Sequence, residues 1–143
     1  MLNTPPAQKL AERVVAQVAG QLTGDDGALA TLTSVHERLG RVLIPVVGEG
    51  GYRAIFARSV RKARAAHPCL DGVALAAGDP FLEPLLGRLR TEEERTIRAS
   101  TVDLMARLIE LMITLVGPEL TLTLLGREWP TAASDPLVPT ETP

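Results

Sequence analysis

Apolar residues recur along this chain at intervals of three and four, the period of an amphipathic helix, from the first turn after Pro6 to Trp129. Leu10, Val14 and Val18 make one such edge. Thr4 can cap it and Pro5-Pro6 suit a first turn, so a first helix is expected over about 6–19. Gly20 and the run TGDDG at 23–27 read as a loop, with Asp25 or Asp26 as the next cap. Apolar positions 28, 32, 35, 39, 42 and 46 predict a second helix, bent in its last turn by Pro45 and stopped by Gly48.

The stretch GEGGYRAIFARSVRKARAAHP at 48–68 predicts a third helix. Tyr52, Phe56, Val60 and Ala63 share one side, Arg53, Arg58, Arg61, Lys62 and Arg64 spread over the other, and Pro68 ends it. Residues 69–78 read as a loop with some buried contacts, and DPFLEPLLGRL as a short helix begun by Asp79-Pro80. Thr91 and Glu94 form a capping box for a fourth helix, and Glu92, Glu93 and Glu94 complement its dipole. This helix carries two adjacent apolar stripes, Ile97, Thr101, Leu104, Leu108, Leu111, Leu115 and Val102, Met105, Ile109, Met112, Val116. A face that wide belongs to a central helix. Gly117-Pro118 breaks it and starts a fifth helix reaching Trp129. LTLTLL at 120–125 alternates like a strand, but no partner strand is evident and Pro118 suits a first helical position.

The expected architecture is an all-α bundle of five main helices plus a short one, a single domain over 1–130 with a disordered tail over 131–143. IPVVGEGGYRAIFAR (44–58) and MITLVGPELTLTLLGR (112–127) align Ile44 on Ile113, Val47 on Val116, Gly48 on Gly117 and Arg58 on Arg127. That raises an internal duplication of helical hairpins, set against the few identities it rests on.

Composition narrows the function classes. The 143 residues suffice for one domain with a real core, and only 3% are aromatic, which leaves that core to aliphatic side chains. Net charge is -2, which does not favour long-range steering of the whole molecule toward nucleic acid. A single cysteine, Cys69, forms no intrachain disulfide, and a reducing, cytoplasmic setting is the plain expectation. The N-terminus lacks a signal-peptide core. The most membrane-like window, 104–126, carries Arg107, Glu110 and Glu119 and a Gly-Pro break, so no membrane partner is expected.

Catalytic and metal patterns are thin. His36, His67 and Cys69 include no CxxC and no helically spaced histidine pair, so no metal or cofactor is expected. Cys69 near His67 has the composition of a nucleophile and base without an orienting pattern. The GEGG turn matches neither a P-loop nor a dinucleotide fingerprint. No catalytic residue is assigned. The feature that remains is the cationic helix, which has no carboxylate between 50 and 70. The reading favoured is a non-enzymatic module that binds a protein partner with an acidic surface. Arg53, Arg58, Arg61, Lys62 and Arg64 would be the contact face and Gly48, Gly50 and Gly51 the hinge. Two alternatives stand beside it: a helix-turn-helix nucleic-acid binder with Arg53 as base reader, and a ligand-sensing bundle with a pocket at Phe56, Met105, Leu108 and Met112. The apolar surplus of the fourth helix also raises self-association.

Overall fold

The structure, a computed structural model, describes residues 6–22, 27–75 and 80–134. These form α1 (Pro6–Gln21), α2 (Ala28–Ala63), a 3-10 turn (Pro68–Leu70), α3 (Glu83–Leu89), α4 (Glu94–Val116), α5 (Pro118–Glu128) and α6 (Pro130–Ser134), with no strand among the described residues. The protein is an all-α bundle, with α4 packed against α1, α2 and α5. Its core takes Leu10, Val14 and Val18 from α1, Leu32, Leu39, Leu43, Phe56 and Val60 from α2, and Leu104, Leu108 and Met112 from α4. Each fully buried side chain of this kind contributes about 1.5–3 kcal/mol. Burial along so many turns outweighs the modest helix propensity of the Val, Ile and Thr residues. The LTLTLL segment is helical for the same reason. Thr121, Leu124 and Leu125 are buried at helical spacing, and the hydroxyls of Thr121 and Thr123 donate to the carbonyls of Gly117 (2.7 Å) and Glu119 (2.9 Å) one turn back.

The stop of the second helix falls at Gly48 as expected, and three other boundaries differ from the sequence expectation. Helical geometry continues through Pro45, and the chain leaves it only at Gly48, with φ 82° and ψ 161°. There α2 doubles back, so that the Tyr52 hydroxyl reaches the His36 carbonyl. The short helix starts at Glu83-Pro84 rather than Asp79-Pro80, and Asp79 lies outside the described residues, as do Thr4, Asp25 and Asp26. The capping box at Thr91 does not form. Glu93 holds the capping position of α4 without a side-chain bond, and Glu94 turns away from its own helix to accept the Ala28 N–H at 2.7 Å. It thereby caps α2 from a distant segment, a contact that local sequence spacing does not encode. Gly27 leaves room for it, because a Cβ there would stand 2.9 Å from Glu94 Oε2. Lastly, residues 130–134, where the tail was expected to begin, form α6. Its Ala132 is buried and takes the Arg13 Nε–H at 3.3 Å. Residues 135–143 lie outside the described residues.

The apolar stripes run out at the ends of the long helices. Val46 is 43% exposed and Leu115 is 60% exposed, although each continues a buried stripe. Both stand two residues before a glycine break. The second break, Gly117, has φ 93° and ψ 159°, nearly the angles of Gly48. Counted from the two glycines, burial keeps one register: Ala28, Thr31, Leu32, Val35, Leu39 and Leu43 correspond to Ile97, Ser100, Thr101, Leu104, Leu108 and Met112. Beyond the breaks, Tyr52, Ile55, Phe56, Val60 and Ala63 correspond to Thr121, Leu124, Leu125, Trp129 and Ala132, all buried. The correspondence does not reach the preceding helices in length, since α1 has 16 residues and α3 has 7.

Candidate functional site

The fold separates the five cations expected to act together. Arg58, Arg61, Lys62 and Arg64 are exposed at the end of α2. They occupy positions that the buried stripe of Tyr52, Phe56, Val60 and Ala63 leaves outward. None of the four has an ion pair with another described residue. Most other arginines do: Arg38 and Arg41 meet Glu128, Arg88 meets Glu92, Arg90 meets Glu83, and Arg107 meets Asp103 and Glu110. Beside the four cations, a notch of about 310 Å³ opens between α2 and the segment 73–75, with Ala57, Val60, Val73 and Leu75 as apolar walls and Arg61 and Arg64 at its edge.

Arg53 belongs elsewhere. Its side chain is only 20% exposed, its Nη2 lies 3.0 Å from Glu49 Oε2, and its guanidinium sits 4.9 Å from the centre of the Phe81 ring. It lines a cleft of about 450 Å³ at the Gly48 break, together with His36, Gly40, Ile44, Pro45 and Tyr52. Aromatic side chains are scarce, yet Tyr52, Phe56 and Phe81 all surround His36 here, with ring centres 5.5, 5.0 and 5.7 Å away. Burial, aided by the Arg53 charge, lowers the His36 pKa below its ordinary value, so the imidazole is neutral at neutral pH. Burial likewise pushes the Tyr52 phenol upward. The Tyr52 hydroxyl donates to the His36 carbonyl at 3.1 Å and lies 2.8 Å from His36 Nδ1. The sequence reading missed this cluster because Phe81 approaches from a separate segment. The local hint was the concentration of aromatic residues in a chain nearly without them.

The hinge glycines are not alike. Gly48 alone takes angles that favour glycine, whereas Gly50 and Gly51 lie within helical geometry. Phe56, Met105, Leu108 and Met112, expected to line a ligand pocket, are all buried within the core cluster, and the cleft at Gly48 is formed by other side chains.

His67 and Cys69 each meet a residue of α4. His67 Nε2 faces Asp103 Oδ2 at 3.5 Å, and Asp103 Oδ1 lies 3.5 Å from Arg107 Nε. Cys69 Sγ contacts the Ser100 hydroxyl at 3.3 Å instead of the imidazole. No group of three or more His, Cys, Asp or Glu among the described residues is arranged to hold a metal ion. No helix among the described residues is long and apolar enough to cross a membrane. Comparison with known protein families, with characterised proteins and with solved structures gave no significant match.

Proposed function

We propose that this chain is a non-enzymatic, cytoplasmic protein-binding module that docks on an acidic partner segment through Arg58, Arg61, Lys62 and Arg64. The observation that carries this reading is the exposure of four cations on one helix end without an ion pair among the described residues, in a molecule of net charge -2 that pairs most of its other arginines. An ordinary solvated face mixes signs, and a cluster of cations of one sign is what an acidic surface would complement. The notch edged by Arg61 and Arg64 supplies what charge alone lacks, an apolar recess for an anchoring side chain. Two features favour protein over nucleic acid. The residue at the base-reading place, Arg53, is half-buried on Phe81 and paired with Glu49. The turn before it is a doubling-back at Gly48, not the short turn of a helix-turn-helix.

The test is affinity capture of the tagged protein from its source cells, with and without nuclease, beside the R58E/R61E/R64E variant. A stoichiometric protein that survives nuclease and is lost from the variant supports the proposal. Its loss should not be reproduced by R95E/R98E on α4, and the melting temperature of each variant is checked first. Retention of the same partner by R58E/R61E/R64E refutes it. Recovery of nucleic acid alone transfers the face to the other class, with a steep salt dependence as its signature.

A further inference from the structure

Among the described residues the exposed large apolar side chains are Val46, Leu115 and Leu120, and each lies within three residues of a glycine break. Exposed leucines scattered singly over a surface are ordinary. These are not scattered, and around Gly117 two of them flank an acid. We propose that the partner of the cationic face is a second copy of this chain. Its turn at 115–120 docks on the notch edged by Arg61 and Arg64, with the leucines against the apolar walls and Glu119 against the cations. This rests on the reading of that face as a docking face, and it names the occupant.

The turn supplies what the notch lacks. Gly117, with φ 93°, ends α4, and Pro118 starts α5, so Leu115, Glu119 and Leu120 stand together at a corner. Glu119 is exposed and has no ion pair among the described residues. The places one helical turn before and after it hold Leu115, Val116, Leu122 and Thr123, none of them a cation. At the first break Val46 is exposed in the same way, but Glu49 there is already paired with Arg53 at 3.0 Å. The dipole of α5 favours an acid in its first turn, which accounts for Glu119 alone. It does not account for leucines left in water on either side. Charge agrees over longer stretches too. Residues 50–70 hold no carboxylate, and residues 108–126 hold two glutamates and no Lys or Arg.

The two surfaces do not meet within one molecule. Arg64, at the edge of the notch, stands three residues before His67, and His67 lies 3.5 Å from Asp103. Asp103 precedes Gly117 by fourteen residues of α4, and at about 1.5 Å per residue that separates the turn from this end by about 20 Å. One copy therefore offers its turn to the notch of the next. Such a head-to-tail contact closes into a ring or continues as a filament. A corner seated in a notch is at the small end of interface sizes, so assembly should depend on protein concentration.

The experiment is sedimentation of the full chain from micromolar to millimolar protein. The mean mass should rise with concentration, and the rise should weaken with added salt as the charges are screened. R61Q/R64Q removes the notch cations and L115S/E119Q removes the turn, and all four side chains are exposed, so melting temperatures should match the parent. Each variant alone should stay monomeric. Mixed in equal amounts they should form a complex of two chains and no larger, because each keeps the face that the other has lost. The proposal is overturned if the parent is monomeric at millimolar concentration, if either variant associates as the parent does, or if the mixture stays monomeric. A monomeric parent that still captures another acidic protein through Arg58, Arg61 and Arg64 overturns the second copy alone and leaves the docking face standing.

Discussion

Glu94→Ala tests whether α2 is capped from outside its own sequence. The Ala28 N–H has Glu94 Oε1 at 2.7 Å, and the capping residue of α2, Gly27, has no side chain to offer. Removing a side-chain cap costs about 0.5–2 kcal/mol. A carboxylate near a helix N-terminus adds about 0.3–1 kcal/mol, toward the lower end here because Glu94 is exposed. We expect about 1–1.5 kcal/mol, or a fall in Tm of roughly 4–6 °C for a domain of this size. Urea and thermal unfolding followed by circular dichroism would measure it. Glu94→Gln should retain much of the stability, since its amide oxygen still accepts. Thr91→Ala, the variant that a local capping box makes costly, should stay within about 0.5 kcal/mol of the parent, as should the exposed Glu93→Ala. A Thr91→Ala loss as large as that of Glu94→Ala would refute the reasoning and restore the local capping box.

Gly48→Ala and Gly117→Ala should each lose about 1–3 kcal/mol in urea unfolding, because φ 82° and 93° with ψ near 160° lie in a region almost reserved for glycine. The cost is backbone strain alone, since a Cβ at either place meets nothing within 4 Å. Gly50→Ala, in helical geometry with the same open surroundings, should be neutral or gain up to about 1 kcal/mol; a loss there matching Gly48→Ala would refute the distinction. The His36 pKa is lower in the folded chain than in the unfolded one, so the unfolded state binds the extra proton first. Stability from this group is complete above the ordinary histidine value near 6.5 and falls as pH drops from there toward the lowered folded pKa. His36→Gln should therefore show less loss of stability than the parent between pH 7.5 and pH 5, and an unchanged pH dependence would contradict the burial of a neutral imidazole.

Periodicity carried the fold because each main helix buries one continuous stripe, which is a property of a single segment. Leu10, Val14 and Val18, or Leu104 and Leu108, need no knowledge of their neighbours to be read as core. The misreadings share one physical cause, a partner distant in sequence. Glu94 fits a local capping box in sequence, but its oxygen serves Ala28. Arg53 falls among the outward cations on a helical wheel, but Phe81 lies close enough to draw the guanidinium over its ring. Val46 and Leu115 continue their stripes into turns that no helix among the described residues covers, so the pattern outlasts the burial it stands for.

The register shared around Gly48 and Gly117 bears on where function should be sought. Two segments with the same buried positions and the same glycine angles answer to the same packing demand, whatever their ancestry. Met105, Thr121 and Leu122 stand at the places around Gly117 that correspond to His36, Tyr52 and Arg53. Around Gly48 the corresponding places hold a histidine, a tyrosine and an arginine, and two rings from Phe56 and Phe81 close around the histidine. Burying an imidazole and a phenol takes more polar surface from water than burying a methionine and a threonine, and the hydrogen bonds between His36 and Tyr52 compensate that loss. A fold that has a less polar solution available in its own second half, and does not use it in the first, directs attention to the first. The partner face lies farther along the same helix. Gly48 therefore sets the angle between the segment that holds His36 and the segment that carries both Tyr52 and the exposed cations.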